Sequence, residues 1–281
     1  MKNYDVLKEF YDAKTWHRIV PYFQPIISIG EDRIVSAEAL CRMEMYDGDL
    51  IMPDEFIPSL ERTGEICDLD WIMIEKTCAF ALRMDVEYGV EMNLSVNFSR
   101  RHIDEWDAVE HLCSIADSFH MDHERLEIEI TEGYLPQNVF LNRMIDRIRE
   151  KGFTVAVDDF GKGYSSLGLI KAADFDTLKL DKSLIDGDID NDNTEAVISG
   201  ILKTSDILDF RVIAEGVENE TQMEILTRCG CDLFQGNNFC EPLCEEHFIE
   251  IYNSVEGIVD KKNKNREQLE AEFRRFMDSR N

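Results

Sequence analysis

The sequence has no apolar run approaching the ~20 residues that a membrane-spanning helix needs. Its first residues, "MKNYDVLKEFYDAKTW", have no continuous apolar segment of the kind found in a signal peptide. Positive charge is also scarce, because 30 Lys and Arg stand against 58 Asp and Glu, a formal net charge of −28. Nucleic-acid polymers and anionic membranes are bound by basic residues that neutralise phosphates. We therefore expect a cytoplasmic protein with neither of these partners.

Conventional zinc-binding spacings are absent as well. The eight cysteines include Cys229-x-Cys231 and Cys240-x3-Cys244, but neither spacing is a recognised pair and no histidine lies in the expected register. In a cytosolic chain we expect the cysteines to be reduced, and several to be buried as small apolar side chains. Zinc is therefore not expected at these positions.

Short runs rich in β-branched and aromatic residues predict eight strands. The first two runs are separated by only residues 30–33, whereas a parallel pair needs a crossover of about a dozen residues, so these two strands should be antiparallel. Every later gap can hold a helix. The predicted strands are 22–29, 34–43, 92–98, 126–131, 154–160, 177–181, 211–217 and 233–239, and the clearest helices are 54–62, 69–86, 104–119, 138–151, 193–208 and 219–229.

This order of elements predicts an α/β fold, a TIM-like (β/α)8 barrel with an antiparallel first strand. An open doubly wound sheet is the structural alternative. No G-x-G-x-x-G follows any predicted strand, so a dinucleotide-binding version of that sheet has no support. There is no Pro-, Gly- or Ser-rich linker, and the 44% of hydrophobic residues can build one large core.

Oxygen-bearing side chains recur towards the ends of the predicted strands, where a barrel carries its active site. These residues are Glu38, Asn97, Glu129, Asp158, Asp159, Glu215 and Gln235, with Lys179 as the one cation among them. Oxygen ligands suit Mg²⁺ or Mn²⁺ better than Zn²⁺. The neighbours Asp158 and Asp159 would repel each other without a cation between them, and two metal ions are the usual arrangement for phosphodiester hydrolysis. The alternative is that each acid caps a helix or faces solvent.

The chain resembles the EAL-type cyclic di-GMP phosphodiesterases from about Tyr22 to Leu243. The signature is Glu38-Ala39-Leu40, within "AEALCR". The other motifs follow in family order: "QPI" at 24–26, "PDEFIPSLERTG" at 53–64, "SVNFS" at 95–99, "EITE" at 129–132, "DDFGKGYSSL" at 158–167, "LKLDKS" at 178–183, "AEGVE" at 214–218 and "QG" at 235–236.

The resemblance implies a metal-dependent hydrolysis of cyclic di-GMP to linear 5'-pGpG by two-metal activation of water. The all-oxygen ligand set further predicts that Ca²⁺ inhibits, because its longer bonds and looser geometry misplace the water between the metals. Glu38, Asn97, Glu129 and Asp158 would hold the first Mg²⁺ or Mn²⁺ ion, and Asp158, Asp159 and Glu215 the second. Lys179 and Gln235 would position the attacking water or its ligand shell, and with Glu38 and Glu215 they form the implied catalytic set. Gln24, Leu40 and Arg42 would bind substrate, and Glu132 would anchor the loop after the fifth predicted strand, 154–160.

Two departures from the family pattern put rate and affinity in question. Lys162 takes a position that is usually small or hydroxylated, and Asn237, followed by Asn238, replaces a usual aromatic residue. The rival function is a catalytically weak or inactive cyclic di-GMP receptor or scaffold of the same fold. "DFG" at 159–161 lacks the other motifs of a kinase, and an aldolase-type Lys179 is disfavoured because neighbouring carboxylates oppose the depressed pKa it needs.

The ends of the chain predict amphipathic helices at residues 4–16 and 266–278. Either helix could pack on the chain's own barrel or form a partner contact, including a homodimer. The predicted division is an N-terminal helical segment at 1–20, an EAL-type barrel domain at 21–250 and a C-terminal helical extension at 251–281.

Overall fold

The computed structural model describes residues 5–131, 139–162, 170, 174–185 and 192–259. The strands are β1 Ile19–Ser28, β2 Arg33–Glu44, β3 Leu50–Ile51, β4 Leu94–Asn97, β5 Leu126–Thr131, β6 Thr154–Phe160, β7 Thr177–Leu180, β8 Arg211–Ala214 and β9 Leu233–Phe234. The α-helices in these ranges are α1 Val6–Thr15, α2 Pro53–Thr63, α3 Ile66–Arg83, α4 Ala108–Ser118, α5 Val139–Glu150, α6 Asp192–Leu208, α7 Glu220–Cys229 and α8 Glu245–Val259.

Eight of these strands close into a barrel. The sheet runs β1-β9-β8-β7-β6-β5-β4-β2, and a further β1–β2 pairing closes it. Strand β1 is antiparallel to both of its neighbours, whereas all pairings from β2 through β4 to β9 are parallel. The predicted barrel with an antiparallel first strand is therefore confirmed. The short β3, which pairs only with the end of β2, was not expected.

Two predicted strands are shorter than expected because their last residues leave the sheet. The run 211–217 is a strand only to Ala214, and the run 233–239 only to Phe234. Gly216 at φ +60° and Gly236 at φ +159° lie two residues beyond the last strand residue, and these positive φ angles, which glycine adopts readily, end the regular pleat. Glu215 and Gln235 consequently lie at the start of the loops on the carboxyl side of the barrel.

The outer helices seal the barrel through aromatic contacts. Phe23 of β1 stacks on Phe80 of α3 at 4.0 Å between ring centroids, and Phe248 of α8 lies 5.8 Å from both rings. Helix α8 was not predicted, and it runs across the expected boundary between residues 250 and 251. The predicted helix at 266–278 falls outside the described residues.

Helix α1 matches the helix expected at 4–16 and packs on the chain's own barrel. Phe10 and Ala13 are fully buried in the core, and Asp5 caps the helix by accepting a hydrogen bond from the Lys8 backbone N–H. Arg18 joins the helix to the barrel through ion pairs with Glu9 and Asp12 at 2.8 and 2.6 Å. Among the helices described here, none combines the length and the apolar character that crossing a bilayer demands.

Candidate active site

One buried lysine lies at the centre of the predicted strand-end residues. Lys179, on β7, is fully buried, and its Nζ lies 2.8 Å from Glu38 Oε2 of β2 and 2.7 Å from Glu129 Oε2 of β5. Glu215, directly after β8, places Oε1 at 2.7 Å, and Asp158 of β6 places Oδ1 at 4.0 Å. The barrel thus brings four carboxylates, three from strands and one from the loop after β8, around a single ammonium group, a cluster that we call the acidic cage.

Side-chain amides hold Glu38 in place within the cage. Asn97 at the end of β4 donates from Nδ2 to Glu38 Oε1 at 3.1 Å, and Gln235 donates from Nε2 to Glu38 Oε2 at 2.7 Å. Gln24 faces Glu38 directly across the β1–β2 pairing; it accepts from Gln235 Nε2 at 3.1 Å and donates to the Cys240 carbonyl at 3.1 Å. Both oxygens of Glu38 are therefore fixed by neighbours on other strands.

The neighbours Asp158 and Asp159 depart from the alternation of a regular strand. The pairing of β6 with β7 shifts register between Val157 and Phe160, and Asp159 has φ +60°. The Asp159 N–H turns back to donate to Asp158 Oδ1 at 2.6 Å. This bulge interrupts the alternation by which consecutive side chains of a regular strand point to opposite faces.

Gly236 lets the chain after Gln235 pass very close to the loop after β8. A Cβ at this position would lie 2.4 Å from both the backbone nitrogen and the backbone oxygen of Val217, which cannot move aside as a flexible side chain could. The approach fixes Gln235, whose own N–H donates to the Ala214 carbonyl at 2.9 Å. The "QG" motif thus has a steric reason in this fold.

The cage perturbs the pKa values of its members in different directions. Burial and the charges of neighbouring carboxylates raise the pKa values of Glu129 and Glu215 well above their usual range; burial likewise raises that of Asp158, despite the opposing effect of Lys179. Burial would also raise the pKa of Glu38, but the charge of Lys179 and three hydrogen bonds outweigh it and lower the pKa. Burial opposes the charge on Lys179, yet the surrounding carboxylates raise its pKa well above the usual value.

The cage fits a site for divalent cations. Four carboxylates face one ammonium group, which leaves a formal charge of −3 in a largely buried volume if all are ionised. Within the described residues, the buried Oε1 atoms of Glu129 and Gln235 have no hydrogen-bond partner. Unpaired acceptor oxygens beside excess negative charge are what a hard cation satisfies.

The predicted substrate residues lie on the same face as Glu38. Leu40 and Arg42 occupy alternate positions of β2 after Glu38, with Leu40 half-buried and Arg42 buried. Arg42 Nη1 donates to the Cys41 carbonyl at 2.8 Å, and its guanidinium lies 5.5 Å from the ring centroid of Tyr22. Among the ion pairs of the described residues none includes Arg42, so its charge can meet an anionic ligand.

Tyr22 was not anticipated as a site residue. A signal was available, because Tyr22 lies two positions before Gln24 on β1 and so shares its face. The loop anchor predicted at Glu132 falls outside the described residues. Lys162 forms an ion pair with Asp159 Oδ1 at 2.9 Å, whereas Asn237 is exposed and Asn238 is half-buried.

The site and the fold together define an α/β barrel whose carboxyl end carries an acidic cage. The chain matches the EAL domain family over residues 8–242, and it therefore belongs to that family. It is 33% identical over 232 residues to signaling protein YkoW of Bacillus subtilis, covering 82% of this chain and 29% of YkoW. It is 31% identical over 239 residues to the probable cyclic di-GMP phosphodiesterase PdeB of Escherichia coli, covering 85% of this chain and 45% of PdeB.

Solved structures agree with this assignment. The PaMucR phosphodiesterase in complex with c-di-GMP superposes with a TM-score of 0.79 at 27% identity, covering 86% of this chain and 99% of that one. The curated relatives YkoW and PdeB are much longer proteins, since this chain spans 29% and 45% of their lengths. The resemblance to the EAL family that the motifs indicated is confirmed.

Proposed function

We propose that this chain hydrolyses cyclic di-GMP to linear 5'-pGpG. The observation that carries the proposal is the acidic cage, in which Glu38 of β2, Glu129 of β5 and Glu215 of the loop after β8 converge within 2.8 Å of Lys179. Support comes from the relatives, which include the probable cyclic di-GMP phosphodiesterase PdeB, and from the PaMucR structure, which contains c-di-GMP.

We propose two Mg²⁺ or Mn²⁺ ions as cofactors. Glu38, Asn97, Glu129 and Asp158 would hold one ion, and Asp158, Asp159 and Glu215 the other. When bound, two such ions acidify a water molecule and stabilise the negative charge that develops on the phosphate oxygens. Asn97 suits this role, because it uses Nδ2 for its hydrogen bond to Glu38 and keeps its carbonyl oxygen out of that bond.

The residues of the chain would divide the remaining work. Lys179, held charged by its neighbours, would donate a hydrogen bond to the attacking oxygen and offset carboxylate charge. Gln235 would orient that oxygen through its unpaired Oε1, while its Nε2 remains on Glu38. Arg42 would bind a substrate phosphate, and its contact with Tyr22 would limit the directions that its guanidinium can take.

A receptor that binds cyclic di-GMP without turning it over is the second candidate. One observation favours it: Lys162 forms an ion pair with Asp159, a residue proposed to hold the second metal ion. The ammonium group would compete with that cation. Because the Lys162 side chain is 63% exposed, solvent screens the pair and the competition should weaken hydrolysis rather than abolish it.

The location and assembly of the protein are also proposals. All eight cysteines are free thiols in the described part of the chain, which supports a reducing compartment such as the cytoplasm. We also propose that the protein forms a homodimer. Helix α1 packs on the chain's own barrel rather than on a partner. Sedimentation of the purified chain with and without cyclic di-GMP measures the assembly directly.

The decisive test is product formation. Purified protein is incubated with cyclic di-GMP and Mg²⁺, and linear pGpG is resolved by chromatography, with an EDTA sample alongside. We expect product only with the metal, and none from Glu38→Gln, which removes a charge from the cage while preserving side-chain volume. Lys182→Ala serves as the matched control, since Lys182 is exposed and its nearest ion-pair contact, with Glu218, is 3.9 Å long. Tight binding without product would establish the receptor; turnover by Glu38→Gln at the wild-type rate would contradict the assigned site.

A further inference from the structure

A second group of metal-ligating side chains lies outside the acidic cage. The Cys67 thiol of α3, the His102 imidazole and the Glu105 carboxylate of the turn after β4 offer one sulfur, one nitrogen and one oxygen, all within 4.8 Å of one another. His102 is fully buried, whereas Cys67 and Glu105 are half-buried. Unlike the cage, this donor set contains the soft and intermediate ligands that Zn²⁺ prefers.

The orientation of the His102 ring is set by its contacts with Asp70 and Phe98. Its Nε2 lies 3.1 Å from Asp70 Oδ2, and this same oxygen accepts a hydrogen bond from the Ser99 backbone N–H at 2.7 Å. The ring also stacks on Phe98, with centroids 3.9 Å apart and planes 6° from parallel. A carboxylate behind the non-ligating nitrogen is the usual partner of a metal-bound histidine, because it fixes the tautomer and the ring.

Both ring nitrogens of His102 face carboxylates. Nδ1 lies 2.7 Å from Glu105 Oε2, opposite the Asp70 contact. An imidazolium can donate to both of these acids, whereas a neutral imidazole carries one N–H and can donate to only one. A cation between Nδ1 and Glu105 gives the neutral ring a consistent arrangement, since Nε2–H then donates to Asp70 while Nδ1 is a ligand.

We propose that Cys67, His102 and Glu105 bind one Zn²⁺ ion, with Asp70 positioning the histidine and water as a fourth ligand. Zinc bonds of about 2.0–2.3 Å place tetrahedral ligand atoms roughly 3.4–3.7 Å apart. The present separations, from 2.7 Å to at most 4.8 Å, bracket that range, and the half-exposed Glu105 can make most of the adjustment. Binding converts the Cys67 thiol to a thiolate, and its proton passes to solvent.

The site would connect α3 to the turn that follows β4. Asn97, a proposed ligand in the acidic cage, lies two residues before Ser99, whose backbone is bound to Asp70. Bound zinc would therefore stabilise the position of the carboxyl end of β4. Neither the site nor its test depends on hydrolysis of cyclic di-GMP.

The experiment uses Co²⁺ as a spectroscopic probe, because a sulfur-to-cobalt charge-transfer band reports thiolate ligation and the all-oxygen cage cannot produce it. We expect the band with one bound Co²⁺ per chain, its displacement by Zn²⁺, and its loss in Cys67→Ser. Cys113→Ser is the matched control, since Cys113 is another half-buried helical thiol. Asp70→Asn should keep the band at saturation but weaken Zn²⁺ binding about 10- to 100-fold in chelator competition.

Two results would overturn the proposal. The first is the absence of a sulfur-to-cobalt band in a folded wild-type protein, which would identify Asp70, His102 and Glu105 as an ordinary buried polar triad. The second is a band that survives Cys67→Ser, which would assign the thiolate to another cysteine. Circular dichroism of each variant shows whether it folds. If Cys67→Ser does not fold, His102→Gln removes a different ligand and provides an independent test.

Discussion

Replacing Lys179 with methionine removes the ammonium group that, in the described part of the chain, lies within 4.0 Å of all four carboxylates of the acidic cage. The side chain is fully buried and of similar length to methionine, so the change deletes charge and hydrogen bonds with little change of volume. The formal charge of the cage then falls from −3 to −4 if all the acids stay ionised. Both stability and catalysis should respond, and they can be measured separately.

The protein should lose stability because the substitution removes one partner of several buried ion pairs. Such a removal costs about 3–5 kcal/mol, because uncompensated charge remains in the interior. For a chain of this size that corresponds to a fall of roughly 6–20 °C in Tm. The loss should be largest in EDTA and smaller in saturating Mg²⁺, since bound cations would offset part of the carboxylate repulsion.

The catalytic effect follows from the loss of one positioned donor to the attacking oxygen. A loss of that kind costs about 10²–10³-fold in kcat, or roughly 2.7–4 kcal/mol in the barrier. Binding of cyclic di-GMP should change little, because Lys179 contacts the cage rather than the proposed phosphate contact at Arg42. Single-turnover rates and calorimetric Kd values, taken on the same folded preparation in Mg²⁺, separate the effect on the chemical step from the effect on substrate binding.

Lys182→Met is the control on the same side of the barrel. Its side chain is 56% exposed and lies 3.9 Å from Glu218, so both the Tm and the rate should stay near wild type. A Lys179→Met protein that is less stable but turns over at the wild-type rate per bound complex would refute the reasoning. Lys179 would then be a structural ion-pair partner, as the contacts alone also allow.

Three further outcomes are expected. Ca²⁺ should fail to support hydrolysis after other metals are stripped, because its longer bonds and looser geometry misplace the attacking water; full product formation in Ca²⁺ would count against the two-metal proposal. Lys162→Ser should lower the Mn²⁺ concentration needed for half-maximal binding by up to about fivefold, because an exposed ion pair such as Lys162–Asp159 is worth about 0.2–1 kcal/mol. An unchanged calorimetric titration would show that Lys162 does not compete with the metal ion. In EDTA, stability should fall as the pH rises above the usual carboxylate range, since the folded-state pKa values of Glu129 and Glu215 are raised and their contribution is lost as the pH passes through them; Glu38, with a lowered pKa, acts only at lower pH. Mg²⁺ or Glu129→Gln should flatten that slope in thermal unfolding, and an equal slope in all three samples would contradict the electrostatic account.

Local sequence patterns determined much of the barrel. The four residues between the first two strands force an antiparallel pair, and β-branched runs separated by helix-length gaps specify the parallel strands that follow. Acids placed towards the ends of those runs predict the convergence around Lys179, since a barrel brings its strand ends together whatever the intervening sequence. The shortened ends of β8 and β9 were not predicted, because Gly216 and Gly236 act through positive φ angles and a contact across two loops.

Tertiary structure alone decided which groups share one buried volume. Lys179 lies 141 positions after Glu38 in the sequence, and its contact with that carboxylate exists only because β7 and β2 face each other across the barrel. The same holds for Cys67 and His102, which have no recognisable ligand spacing and meet only where α3 packs beside the turn after β4. Periodicity reports which face of an element is buried, but pKa shifts, unpaired oxygens and ligand clusters depend on distances across the fold, which no local pattern contains.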